Sequence, residues 1–72
     1  MTTIDARGLA CPLPLTMAKR ALAAASAGES VVVLATDPEA PIDIAAWAAD
    51  AGHDYSERRA EGWMDLALRK RG

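Results

Sequence analysis

The stretch Val31-Val32-Val33-Leu34-Ala35 decides the fold. Its apolar run, rich in β-branched side chains, reads as a strand, because such side chains suit a pleated surface and crowd a helix. A continuous run without alternation predicts a strand buried on both faces, at the centre of a sheet. Thr36-Asp37-Pro38 ends it. Upstream, Pro12 to Ala27 turns helical, with Leu15, Ala18, Leu22 and Ala25 on one stripe that Met17, Ala21 and Ala24 widen. Lys19, Arg20 and Ser26 lie outside that stripe, and Gly28 sits where a left-handed cap is expected. Further upstream, Thr2 to Ala6 reads as a short strand broken by Arg7-Gly8.

Downstream, the spacing predicts a second helix from about Pro41 to Ala51, with Ile42, Ala45, Ala46 and Ala49 on one face and Gly52 at its end. Residues 54–60 read as a polar strand whose apolar anchors are Tyr55 and Ala60, and Glu61-Gly62 as a tight turn. Trp63 to Lys70 alternates, with Met64, Leu66 and Leu68 on one face and Trp63, Asp65, Ala67 and Arg69 on the other. The order β-α-β-α-β-β implies an α/β two-layer sandwich, a mixed four-stranded sheet with two helices packed on one face.

At 72 residues the chain is expected to form a single domain over residues 1–72. A domain of this size buries only about 60% of its unfolded surface, so a deep walled cavity is not expected. Ala accounts for 17 residues of the apolar 51%, Phe is absent, and the aromatics are Trp47, Trp63 and Tyr55. A net charge of −2 argues against direct nucleic-acid binding, and no apolar stretch approaches the ~18 residues of a membrane span. The N-terminus has no basic segment followed by an apolar one, so a cytoplasmic location is expected. Charge is segregated. Residues 29–65 carry nine acids against Arg58 and Arg59, while the remainder carries Asp5 against six basic residues. A positive patch beside the first helix would suit an acidic protein partner.

Cys11 is the sole cysteine, which excludes an intrachain disulfide and a cysteine-based zinc cluster. It stands at a loop-to-helix junction in Cys11-Pro12-Leu13-Pro14. Prolines are tolerated in a first helical turn, where the amide hydrogens lack intrahelical partners. With Cys11 as N-cap, Pro14 has no N–H to offer and the Leu13 amide becomes the local donor to the sulfur. The positive helix end then predicts a depressed thiol pKa. Lys19 is eight residues on, about 12 Å along the axis at ~1.5 Å per residue, which suits docking better than thiol activation. The alternative is a small buried hydrophobe, the commoner fate of a lone cysteine.

Asp5-Ala6-Arg7-Gly8-Leu9-Ala10-Cys11-Pro12-Leu13-Pro14 resembles the D-x-x-G-L-x-C-P-x-P signature of the TusA-like (SirA-like) sulfur-carrier family. Gly28-Glu29, the valine strand, Asp37-Pro38, Asp43-Ile44, Gly52-His53 and a basic terminal strand follow in that family's order, so the resemblance spans essentially the whole chain. It implies the same β-α-β-α-β-β sandwich, with Cys11 as the persulfide-bearing residue and Asp5, Gly8, Leu9, Pro12, Leu13 and Pro14 as its supporting motif. It places Lys19, Arg20 and Asp37 at partner docking. The implied partners are a sulfur donor, a cysteine desulfurase or rhodanese-like protein, and a sulfur acceptor. The destinations seen in the family are tRNA 2-thiouridine formation, molybdenum-cofactor enzymes, oxidative sulfur metabolism and selenium-related roles. The carrier counts as a sulfurtransferase in the broad sense, with no cofactor and no metal, and is expected as a monomer.

A non-catalytic interaction or regulatory module of the same fold is the competing reading, and an RNA-binding domain is a third. His53 reads as a surface or capping residue, Trp47 and Trp63 as packing, and Arg69-Lys70-Arg71 as a solubilising end. Asp43 and Asp50 read as a solvated helix face, since two carboxylates without further ligands make no metal site.

Overall fold

The valine strand does sit inside a sheet, but only one of its faces is covered. The computed structural model describes residues 2–71. Its elements are β1 (Thr2–Ala6), α1 (Leu13–Ala24), β2 (Ser30–Ala35), α2 (Ala40–Ala51), β3 (Asp54–Arg59) and β4 (Met64–Arg69). The sheet order is β1-β2-β4-β3, with β1 parallel to β2 and β4 antiparallel to both β2 and β3. The expected mixed four-stranded sheet, element order and two-helix layer are all present. The β1–β2 pair is parallel because α1 carries the chain back between them, and β3–β4 is a hairpin.

Burial along β2 alternates. Val31, Val33 and Ala35 are buried, whereas Ser30, Val32 and Leu34 are half-buried. The expectation of a strand covered on both faces is therefore corrected. Two short helices are enough for one layer, and the opposite face stays open. Val32 is flanked across the strands by Thr3 and Ala67, so its branched side chain is shielded laterally and not from above. A broad concavity of about 620 Å³ on this open face is lined by Thr3, Val32, Leu34, Ser56, Arg58 and Ala67.

The core lies between the other face and the helices. Ala6, Val31, Val33, Ala35, Leu66 and Leu68 from the sheet meet Ala18, Leu22, Ala40, Ile44 and Ala48. Alanines at the helix contacts let the helices lie close to the sheet, so few large side chains fill the layer. On α2 the buried positions are Ala40, Ile44 and Ala48, and Ile42 is 64% exposed. The stripe expected through Ile42 is thus rotated. In an alanine-rich helix several stripes are almost equally apolar, and Ile44 settles the choice by filling the core.

The helix ends show a second difference. α1 stops at Ala24, with Ala25 extended as its C-cap. Gly28 (φ +85°) instead shapes the turn into β2, where its N–H donates to the Lys70 carbonyl at 2.8 Å. The Lys70 Nζ donates to the Ala25 carbonyl at 2.9 Å, so a cation just past the last strand satisfies the helix's free end. Gly52 (φ +80°) is the left-handed cap of α2 as expected. The Tyr55 hydroxyl donates to Glu57 Oε1 at 2.8 Å, and burial with that carboxylate pushes its pKa up.

Candidate functional site

Residues 7–12 form the loop from β1 to α1, and nearly every turn of it is tied down. At its start the Asp5 carboxylate accepts the Arg7 N–H at 3.1 Å and the guanidinium through Nε and Nη2, each at 2.9 Å. The Arg7 hydrogen bonds hold the Asp5 pKa down at about 2. The same guanidinium lies 4.9 Å from the centre of the Trp63 ring, a cation–π contact. Gly8 (φ +80°) turns the chain, and its N–H donates to Thr36 Oγ1 at 2.8 Å. Such a φ is one that side-chain-bearing residues rarely adopt.

Asp37 joins this loop to the next. Its Oδ2 accepts the Cys11 N–H at 2.6 Å, and its Oδ1 accepts the Glu39 N–H at 3.0 Å at the entrance to α2. The expected docking residue is thus first a clamp between the loops after β1 and β2. Leu9 is half-buried against the core, and Pro14 is buried in the first turn of α1. Pro12 rather than Cys11 occupies the N-cap position, and the Cys11–Pro12 peptide is cis. The Leu13 N–H goes to the Ala10 carbonyl at 3.0 Å, so the expected bond from Leu13 to the sulfur is not made.

The thiol itself is exposed and faces α2. Its Sγ donates to Asp43 Oδ2 at 2.9 Å. That hydrogen bond, then partial desolvation, then the charges of Asp43, Asp37 and Glu39, raise the Cys11 pKa to about 11. The expected depression is therefore reversed. A helix end offers roughly half a positive charge and here lacks direct amide donors to the sulfur, whereas the charges of three carboxylates act on it. Asp43, read from sequence as part of a solvated face, is the nearest titratable partner of the thiol. The charged groups acting on the sulfur are acidic.

Lys19 and Arg20 are exposed on α1. Among the described residues, Leu13 and Ile42 are the large apolar residues left exposed, at 49% and 64%. Leu13 follows Cys11 by two positions in the chain, and Ile42 precedes Asp43. His53 packs its ring 5.4 Å from Trp47, and its Nδ1 accepts the Arg71 N–H at 3.4 Å, a structural position. No three His, Cys, Asp or Glu side chains gather as a metal site among the described residues. No helix among them is long and apolar enough to cross a membrane. The large concavity on the open sheet face does not include Cys11.

A family model described as "Sulfurtransferase TusA" matches residues 2–70. The sulfur carrier protein TusA of Allochromatium vinosum is 44% identical over 59 residues, covering 82% of this chain and 78% of that one. YrkF of Bacillus subtilis is 42% identical over 59 residues, covering 82% of this chain, which spans only 32% of that longer protein. The crystal structure of a SirA-like protein from Desulfitobacterium hafniense superposes with a TM-score of 0.89 at 30% identity, covering 100% of both chains.

Proposed function

The chain belongs to the TusA sulfurtransferase family, and from that premise we propose that it is a sulfur carrier that loads and unloads sulfur on Cys11. The observation that carries this reading is an exposed thiol on a loop held at Gly8 and Cys11 by Thr36 and Asp37. A carrier must offer its sulfur to two different proteins. It therefore needs a thiol that projects from a rigid base and lies outside any pocket.

In the proposed cycle Cys11 attacks the outer sulfur of a donor persulfide, and an acceptor thiol later attacks the Cys11 persulfide. Both steps are thiol exchanges in which sulfur is nucleophile, electrophile and leaving group. No second cysteine lies in the chain to turn the persulfide into an intrachain disulfide. A cysteine desulfurase or rhodanese-like protein is the proposed donor. The acceptor would serve tRNA thiolation, a molybdenum-cofactor enzyme or sulfur oxidation, in the cytoplasm. Lys19, Arg20 and the exposed Leu13 and Ile42 form the proposed docking surface, with Asp37 holding the Cys11 loop.

The test is intact-mass measurement after incubation with a cysteine desulfurase and cysteine. One added sulfur, removed by reductant and absent from Cys11→Ser, supports the reading. No gain with several desulfurases and rhodaneses would favour a non-catalytic interaction module.

A further inference from the structure

We propose that Asp43 is the proton acceptor for Cys11, taking the thiol proton as the sulfur attacks and returning it to the departing donor thiolate. The proposal rests on the carrier reading above and assigns the proton that reading leaves unplaced. Its geometric basis is the 2.9 Å contact from Cys11 Sγ to Asp43 Oδ2. Asp43 lies in the first turn of α2, where its own N–H donates to the Glu39 carbonyl at 3.0 Å, so a helical backbone holds the carboxylate in place. The other charged groups acting on the thiol are Asp37 and Glu39, and both are acids. Asp37 is already engaged by the Cys11 and Glu39 amides. No lysine, arginine or histidine contributes at the sulfur to stabilise a thiolate in advance. The thiol must then lose its proton during attack, and the group already bonded to that proton is Asp43.

The step balances without an added oxidant or reductant. The donor presents Cys–S–SH. A bond forms between Cys11 Sγ and the outer sulfur, the donor's S–S bond breaks, and its electron pair leaves on the inner sulfur. The Cys11 proton passes to the Asp43 carboxylate and from there to that departing thiolate. Cys11–SH and the donor persulfide become the Cys11 persulfide and a donor thiol. The same arrangement gives the unloaded carrier a second property. Away from its partner the thiol stays protonated and sluggish toward small electrophiles, while the proton path remains ready for a docked persulfide.

Asp43→Asn keeps the side-chain shape and removes the proton acceptor and its charge. Two rates are read on the folded full chain. Alkylation of Cys11 by iodoacetamide at pH 7 should rise, by about tenfold as the thiol returns toward its ordinary pKa. Single-turnover transfer from a persulfide-loaded desulfurase should fall, by about 10²-fold, the lower end for loss of a general base. Transfer by the Asn variant should also climb with pH as free thiolate takes over, and Asp43→Glu should recover part of the loss. Opposite movement of the two rates is a result that simple loosening of the loop does not produce. Transfer by Asp43→Asn that equals or exceeds the unsubstituted protein, or that moves with alkylation, overturns the proposal. Failure of the unsubstituted protein itself to load sulfur would instead remove the carrier reading, and this proposal with it.

Discussion

Raising the pH across the alkaline range should wake the Cys11 thiol unusually late. With a pKa of about 11, the thiolate fraction at pH 7 is about 10⁻⁴, against about 3% for an ordinary cysteine near 8.5. That is a deficit of roughly 300-fold in reactive form. A more basic thiolate is also a better nucleophile, by about 10- to 20-fold over this interval for a Brønsted slope of ~0.45. The net expectation is alkylation roughly 15- to 30-fold slower at pH 7 in the folded chain than in the same chain unfolded in urea. The assay is iodoacetamide labelling from pH 7 to 12, read by intact mass, in folded and urea-unfolded protein. The sign for stability follows from the same shift. The raised folded pKa favours the folded state below the unfolded value near 8.5, and this contribution is lost as pH rises towards 11. Urea midpoints should fall over that window. A folded-state midpoint at or below 8.5, or folded protein labelling faster than unfolded, would refute the carboxylate-held thiol and restore the helix-end argument.

Three further outcomes are expected. Leu66→Ala removes a fully buried side chain and should cost about 2–5 kcal/mol of unfolding free energy in urea titration, enough to leave a small domain barely folded. Asp37→Ala deletes the acceptor of the Cys11 and Glu39 amides and should cost about 1 kcal/mol, with faster hydrogen exchange at those two amides while the β2 core amides stay protected. Reversing Lys19 and Arg20 together to Glu should slow sulfur transfer from a donor protein by about tenfold at low salt and less at high salt, while alkylation of Cys11 changes little, because exposed charges act on encounter and are screened beyond ~8 Å.

Much of the architecture is legible in the sequence. β1 is found at Thr2–Ala6 as read, and the alternation through Met64, Leu66 and Leu68 identified the inner face of β4. These succeed because a strand's side chains alternate by geometry and a strand with a wrong face loses its core at once. The reading failed where composition is degenerate. Many alanines made more than one stripe of α2 plausible, and only contact with the sheet chose Ile44 over Ile42. The double-sided burial of β2 failed for want of a third layer, which 72 residues do not provide.

The site divides in the same way. By itself the sequence determined that Cys11 is the single thiol, that it stands between β1 and α1 beside two prolines, and that the family motif surrounds it. Those are local facts, set by neighbours along the chain. Only the tertiary structure decided what the sulfur touches. Asp37 is 26 positions and Asp43 is 32 positions away in the chain, and the parallel pairing of β1 with β2 brings the loops at their ends together. That pairing delivers the first turn of α2 to the thiol. Electrostatic effects fall with distance in space, so the charge state of a thiol depends on those neighbours and not on the residues beside it in the chain.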